Sequence, residues 1–364
     1  MEYKLLTPGP LTTTATVKQA MLTDHCTWDQ EYKTITQEIR QKLLVLAGVS
    51  EQEYTTVLMQ GSGSFGVEAV LSSMIKPTDH LLICANGAYG QRIVAMSERY
   101  QLNYTVYEVA ENAIPLAADI AKLIEANPTI TVLAMVHSET TSGILNDLTE
   151  IAQLAKEQQL LFIVDAMSSF GGIPIDVSGL EIDFLISSSN KCIQGVPGFS
   201  FVIAKRKELE QRQTFARTLS LDLYDQYKVM EKDGKWRFTS PTHTVLAFYQ
   251  ALIELEEEGG IHQRYVRYLT NNRLLRQKMS EIGYRPFIKE HQGPFITSFY
   301  YPKRGNFKFD HFYAFLKEHG FVIYPGKISS QECFRIGNIG EIYPEDIDRL
   351  VEVIEHYSEV AYVS

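Results

Sequence analysis

With 364 residues, 45% hydrophobic and 21% charged, the chain is sized for one large sheet domain plus a smaller one, and that balance fits neither a disordered nor a fibrous protein. A net charge of −10, from 34 basic against 44 acidic residues, argues against nucleic acid or an anionic membrane as partner, although it leaves room for a local basic pocket. Four scattered cysteines (Cys26, Cys84, Cys192, Cys333) without CxxC spacing, no apolar run near the roughly 18 residues of a membrane span, and a start without an apolar leader core point to a cytoplasmic protein with reduced thiols and no metal.

Through the first two thirds of the chain, short apolar runs alternate with stretches of helical spacing. Strands are predicted at 55–60, 80–85, 102–109, 131–137, 160–165, 182–188 and 199–205, with helices at 65–75, 91–100, 117–126 and 148–157. Runs such as Leu133-Ala134-Met135-Val136 and Ile163-Val164 are apolar without alternation, as strands buried on both faces of a largely parallel sheet must be. The order predicts an α/β fold: a mainly parallel seven-stranded sheet flanked by helices. From about residue 242 the texture changes. Two long helices at 245–258 and 262–282, broken by Gly259-Gly260, precede strands at 295–301, 321–324 and 332–336 and helices at 310–319 and 344–357. That mixture suits a smaller α+β domain, so the expected division is a large domain at 15–255 and a small one combining 1–14 with 256–364.

Asp165 closes one of the apolar runs, and Lys191 follows the next in Ile186-Ser187-Ser188-Ser189-Asn190-Lys191. An aspartate and a lysine at successive strand ends can grip opposite ends of one aromatic cofactor. Pyridoxal phosphate needs such a pair: a lysine to hold its aldehyde, and a carboxylate to keep its ring nitrogen protonated so that the ring accepts electrons. Taken alone, the two residues read more plainly as a turn cap and a solvated amine; their neighbours favour the cofactor. Cys192 reads as a packing residue.

Gln60-Gly61-Ser62-Gly63-Ser64-Phe65-Gly66 follows a strand and opens a helix, where backbone N–H groups and two hydroxyls form an anion cradle suited to a phosphate. The same residues match the dinucleotide fingerprint GxGxxG, but the next strand ends in Cys84-Ala85-Asn86-Gly87, without the acidic residue a Rossmann unit carries there. A purely structural turn is the third reading. Tyr89, in Asn86-Gly87-Ala88-Tyr89-Gly90, either stacks on a planar ring or joins the core. Thr140, with Thr141 as its alternative, is a candidate to bond a ring hydroxyl, and His137 before them reads as structural. Arg335 lies in the apolar run Cys333-Phe334-Arg335-Ile336-Gly337 and needs an anion, which an internal salt bridge or a substrate carboxylate or phosphonate would supply equally well.

Assembled, these residues make the chain resemble, from end to end, the fold-type I, class V aminotransferases, which use pyridoxal phosphate. The Pro8-Gly9-Pro10 start and the Asp165-to-Lys191 spacing are shared across that family. Segments 6–10, 26–29, 86–90, 236–244 and 334–340 are more similar to members acting on 2-aminoethylphosphonate and pyruvate than to those acting on alanine and glyoxylate or serine and pyruvate. The resemblance implies that Lys191 binds the cofactor aldehyde, that Asp165 pairs with the ring nitrogen and that Ser62, Gly63 and Ser64 hold the phosphate. Tyr89 then stacks on the ring, where relatives often carry tryptophan. Thr140 and Asn190 line the cofactor, and Arg335 binds the anionic end of each substrate in turn. Ser64 stands where relatives often have Thr or His, and it keeps a donor. A homodimer with shared active sites is also implied, with Thr239 or Ser240 reaching the partner's phosphate. The expected reaction is transamination of 2-aminoethylphosphonate with pyruvate, giving phosphonoacetaldehyde and L-alanine in phosphonate degradation. The alternatives are an alanine–glyoxylate or serine–pyruvate type aminotransferase and, from another class, an NAD-linked oxidoreductase built on 61–66, which leaves Asp165 and Lys191 unexplained.

Overall fold

In the computed structural model, which describes residues 3–303, 307–328 and 331–362, the apolar runs become strands and the amphipathic stretches become helices. Residues 1–2, 304–306, 329–330 and 363–364, all within the expected small domain, lie outside the described residues. In chain order the first elements are β1 (Lys4–Leu5), α1 (Ala15–Gln19), α2 (Gln30–Ala47), β2 (Tyr54–Gln60), α3 (Gly63–Met74), β3 (Leu81–Ala85), α4 (Ala88–Arg99), β4 (Tyr104–Glu108), α5 (Ala117–Ala126) and β5 (Val132–Val136). A short hairpin of β6 (Ser138–Glu139) and β7 (Ile144–Leu145) follows, then α6 (Thr149–Glu157), β8 (Leu161–Asp165), β9 (Phe184–Ser188) and β10 (Phe199–Lys205). The remainder comprises α7 (Arg206–Gln211), α8 (Leu223–Asp233), α9 (Thr242–Glu257), α10 (Gly260–Glu281), β11 (Ile296–Tyr300), α11 (Phe309–Glu318), β12 (Phe321–Val322), β13 (Tyr324–Pro325), β14 (Cys333–Gly337) and α12 (Pro344–Tyr362).

Seven strands form one sheet in the order β2-β10-β9-β8-β5-β3-β4. All run in one direction except β10, which is antiparallel to both of its neighbours. Every residue of β3, β5, β8 and β9 is buried, because helices cover both faces of the sheet, and this is why their composition does not alternate. On one face Leu82, Leu133, Phe162, Leu185 and Phe201 meet Ile39 and Leu43 of α2 and Phe248 and Leu252 of α9. On the other, Ile83, Ala134, Ile163, Ile186 and Val202 meet Val67, Val70 and Met74 of α3 and Ile93 of α4.

A separate apolar cluster joins Leu6 to Leu275 and Met279 of α10, Phe312 and Leu316 of α11, Phe334 of β14 and Leu350 of α12. It lies beside a three-stranded sheet, β11-β14-β13, while β1 pairs in parallel with β12 through Lys4 with Phe321 and Leu5 with Val322. The stretch predicted as one strand at 321–324 is two, because β12 pairs with β1 and β13 with β14. No described helix is long and apolar enough to cross a membrane.

Helices α1, α2, α7 and α8 were not predicted. The inward face of α2 carries Lys33, Thr36 and Arg40 among its apolar residues, and these interrupt the periodicity that marks a helix. The polar groups are satisfied inside: Lys33 Nζ lies 2.7 Å from Asp233, and Arg40 donates to the Thr56 carbonyl at 2.7 Å and reaches Glu231 at 2.5 Å.

Candidate active site

Since β2, β3, β5, β8 and β9 share one direction, the loops after their carboxyl ends collect at one edge of the sheet, where open α/β sheets bind ligands. Asp165 is the last residue of β8. It is 6% exposed, its Oδ1 accepts the Met167 N–H at 2.9 Å, and burial pushes its pKa up to about 6. Lys191 follows β9, is half-buried, and donates to the Pro8 carbonyl at 3.1 Å. Burial holds its pKa down to about 8, with Asp165 acting in the opposite direction. Each group feels the other's charge, which favours the charged form of both and opposes the burial that disfavours it. The Pro8-Gly9-Pro10 loop closes over this lysine. Gly9 has φ +130°, and a Cβ there would come 2.7 Å from Lys191 Cδ and 2.9 Å from the Asn190 carbonyl. The side chain of Asn190 itself accepts from Ser188 Oγ at 3.2 Å.

At the end of β2, Ser62 is the N-cap residue of α3 but its exposed side chain makes no capping bond. Ser64 Oγ accepts from Arg92 Nη1 at 2.8 Å, and the Arg92 guanidinium lies 4.7 Å from the centre of the Tyr89 ring. Gly63 faces the Asp165 loop so closely that a Cβ would sit 2.1 Å from Met167 Sδ. Open helix N–H groups, two hydroxyls and a guanidinium form an anion cradle. The dinucleotide reading fails on topology. A Rossmann fingerprint follows a strand at the centre of a parallel sheet, whereas β2 is an edge strand whose one neighbour is antiparallel.

Tyr89 stands half-buried in the first turn of α4. Of the two threonine candidates, Thr141 donates its hydroxyl to Glu139 at 2.6 Å. Thr140 is 1% exposed, and its Oγ1 has no hydrogen-bond partner among the described residues, a costly condition for a buried hydroxyl that nothing else satisfies. The Thr140 carbonyl accepts from Arg335 Nη1 at 3.1 Å, while Arg335 Nε donates to the Pro325 carbonyl at 2.9 Å. Arg335 is 2% exposed, yet no carboxylate lies within ion-pair distance of it among the described residues. No internal salt bridge among the described residues therefore accounts for it; its guanidinium is held by two carbonyls and lies 5.7 Å from the centre of the Tyr324 ring, which leaves it suited to an external anion. Burial holds His137 down to about 4, so it is neutral, and pushes the Cys192 thiol up to about 12, where it packs with Sγ on the Ser168 carbonyl. Within one chain neither Thr239 nor Ser240 is bonded to these loops among the described residues. Ser240 is turned inward onto Tyr32 Oη at 2.6 Å, and Thr239 is exposed.

Sequence reasoning assigned no role to Arg92, Met167, Glu139 or the Pro8 carbonyl. For Arg92 a signal existed, since it follows Tyr89 by one helical turn and so shares its face of α4.

The pattern of the family described as Aminotransferase class-V matches residues 17–343. The chain belongs to the class-V aminotransferases. Among proteins similar to this class-V aminotransferase, the 2-aminoethylphosphonate–pyruvate transaminase of Bacillus cereus (strain G9842) is 58% identical over 354 residues, 97% of either chain. That of Bacillus anthracis is 57% identical over the same length and coverage. The fold is shared with solved structures: alanine–glyoxylate aminotransferase from Nostoc sp. (TM-score 0.90, 24% identity, 98% of this chain and 95% of that one) and pyridoxamine–pyruvate aminotransferase from Mesorhizobium loti (TM-score 0.91, 22% identity, 99% and 93%). A class-V aminotransferase is an enzyme, and the NAD-linked oxidoreductase is set aside on this ground as well as on topology.

Proposed function

We propose that this class-V aminotransferase moves the amino group of 2-aminoethylphosphonate to pyruvate, with pyridoxal phosphate as cofactor, leaving phosphonoacetaldehyde and L-alanine. The observation that carries the reading is Arg335, a buried cation with no carboxylate within ion-pair distance among the described residues, bonded to Thr140, whose hydroxyl has no partner among them, in a chain 58% identical to a transaminase named for these substrates. The residues present fit the cofactor. The orphaned Thr140 hydroxyl matches a ring oxygen, the α3 cradle a phosphate, the buried Asp165 a ring nitrogen and the Lys191 amine an aldehyde.

When bound, pyridoxal phosphate supplies an electron-accepting ring that stabilises negative charge at the carbon bearing the transferred nitrogen. Lys191 Nζ holds the cofactor aldehyde at rest. Burial lowers the proton affinity of this amine, so once released it would be suited as the base that takes the proton from that carbon. Asp165 keeps a proton on the ring nitrogen. Ser62, Gly63 and Ser64, joined by Arg92, would hold the phosphate, Tyr89 would stack on the ring, and Asn190 flanks the lysine. Arg335 binds the phosphonate of the donor and then the carboxylate of pyruvate. We further propose a homodimer in which Thr239 reaches the partner's phosphate, since Ser240 is taken by Tyr32. The proposed division into a large domain at 15–255 and a small one from 1–14 and 256–364 rests on the separate apolar cluster around Leu6 and Phe334. Work in the cytoplasm is supported by four unpaired thiols, and a place in phosphonate degradation by the donor named for the similar transaminase.

The test is the visible absorption of the protein with pyridoxal phosphate before and after 2-aminoethylphosphonate is added without pyruvate. Loss of the lysine-bound band with this donor, and far less with alanine, is the expected result. Bleaching by alanine or serine alone would reassign the substrate to the alanine–glyoxylate or serine–pyruvate type, and absence of any band would refute the cofactor. Lys191→Ala should form no such band and lose turnover while its circular dichroism stays that of a folded protein.

A further inference from the structure

One acid at this edge of the sheet has no part in the chemistry described so far. Glu139 is fully buried, yet among the described residues no Lys, Arg or His lies within ion-pair distance of it. Its charge is met by four donors from two different loops. Oε2 accepts the backbone N–H of Tyr89 at 3.0 Å and of Gly90 at 3.3 Å, and Oε1 accepts the Thr141 N–H at 3.2 Å and the Thr141 hydroxyl at 2.6 Å. Tyr89 and Gly90 form the first turn of α4, whose N-cap residue, Gly87, has no side chain to offer. The carboxylate thus caps α4 from another element, where the positive end of the helix favours an anion. The fit leaves no spare room: a Cβ on Gly87 would fall 2.4 Å from Glu139 Cγ and 2.6 Å from Thr141 Oγ1.

The two loops so joined carry two residues assigned above to the cofactor. Tyr89 donates directly to Glu139, and Thr140 is held between Glu139 and Thr141, both of them fixed by this carboxylate. Thr140 in turn offers its carbonyl to Arg335. We propose that Glu139 is a positioning residue of the catalytic centre: its carboxylate clamps the β3 and β5 loops so that Tyr89 meets the cofactor ring and the Thr140 hydroxyl meets its oxygen. The inference rests on the pyridoxal phosphate reading given above. The charges that act on Asp165 are Glu139, Lys191 and Arg92, and those on Lys191 are Asp165, Arg335 and Arg92, with the neutral Cys192 thiol beside it. Glu139 raises the proton affinity of Asp165, so its removal leaves a balance dominated by cations and favours loss of protons.

Glu139→Gln keeps the shape but turns one acceptor into a donor, so one of the two loops faces an N–H with an N–H. Three readouts on the protein with added pyridoxal phosphate test the role: cofactor dissociation constant, pH titration of the visible band, and kcat. The variant is expected to stay folded, to bind cofactor about tenfold more weakly, to titrate at lower pH and to lose on the order of a hundredfold in kcat, the scale of a displacement of about 1 Å at a reacting centre. Thr141→Val removes one donor and keeps the charge, so it should weaken cofactor binding without moving the titration. It serves alone should Glu139→Gln not fold. A cofactor affinity and a band titration equal to wild type in Glu139→Gln, or an unchanged affinity in Thr141→Val, overturn the proposal. A wild-type protein that forms no band at all refutes the cofactor assignment instead.

Discussion

Replacing Arg335 with methionine separates a structural arginine from a substrate-binding one, because the two roles predict opposite costs. As a substrate site, the guanidinium attracts an anion at about 4 Å with roughly 4 kcal/mol at an effective dielectric near 20, which is about a thousandfold in kcat/KM. Both half-reactions should fall by that order, since one cation serves phosphonate and carboxylate in turn. The folding cost is smaller. Arg335→Met leaves the Pro325 and Thr140 carbonyls without a donor, at about 1–3 kcal/mol each, but it also removes a buried charge that among the described residues has no carboxylate within ion-pair distance, Glu139 acting on it only from further off. The two effects cancel to within about 2 kcal/mol, a shift of only a few degrees in the melting temperature. Breaking a buried ion pair would instead cost about 3–5 kcal/mol. The assay is kcat/KM for 2-aminoethylphosphonate and for pyruvate, with calorimetry of the cofactor-free protein. Near-normal kcat/KM, or a collapse of the melting temperature with catalysis preserved, would refute the reasoning.

Gly9→Ala should cost about 1–3 kcal/mol, because φ is +130° and the new methyl would press on Lys191 and Asn190; melting and the rate of band formation measure it, and wild-type values for both would contradict the close approach. Burial raises the Asp165 carboxyl from 3.8 to about 6, so between those values the folded, cofactor-free protein keeps a proton that the unfolded chain has lost. Stability from that proton is fully present below about pH 4 and is lost as pH rises through 6, on the order of 3 kcal/mol, and Asp165→Asn should flatten this slope in urea titrations across the window. An unaltered slope would mean that Asp165 is solvated. Ser240→Ala should cost about 1 kcal/mol through the lost Tyr32 bond and leave cofactor affinity alone, whereas Thr239→Ala should weaken cofactor binding and leave stability alone; equilibrium dialysis and melting curves tell them apart, and the reverse pattern would exchange their roles.

The central sheet strands were legible because a strand covered on both faces is built mainly of apolar residues: β5 is apolar throughout, and β8 is apolar up to its final Asp165. Asp165, Lys191 and the 61–64 turn were legible for a related reason, since chemistry-bearing residues directly after such strands gather at one edge. Helix α2 was hidden by its own buried polar groups, Lys33 and Arg40, whose partners Asp233 and Glu231 lie far off in sequence. The seating of Lys191 on the Pro8 carbonyl and of Arg335 on the Thr140 carbonyl was hidden more deeply. Backbone acceptors leave no residue pattern, and the pairing of β1 with β12 that brings the first turn to the lysine is too short to show periodicity. Glu139 was visible as an acid among hydroxyls, but three of its four donors are backbone N–H groups, about which side-chain identity says nothing.

The ties that close the site reach far along the chain: Lys191 to Pro8 spans 183 residues and Arg335 to Thr140 spans 195. During synthesis the seven-stranded sheet, complete by Lys205, can form while β12 and β14 are still unmade. The stretch around Pro8 then has no β12 to lie against, and the Arg335 guanidinium does not yet exist. A nascent chain thus carries its lysine without the loop that closes over it and without selectivity for what approaches it. Competence arrives in one step when the C-terminal layer docks and draws in the first residues, so truncation at either end should yield a folded sheet that is inert rather than a weak enzyme that captures stray aldehydes.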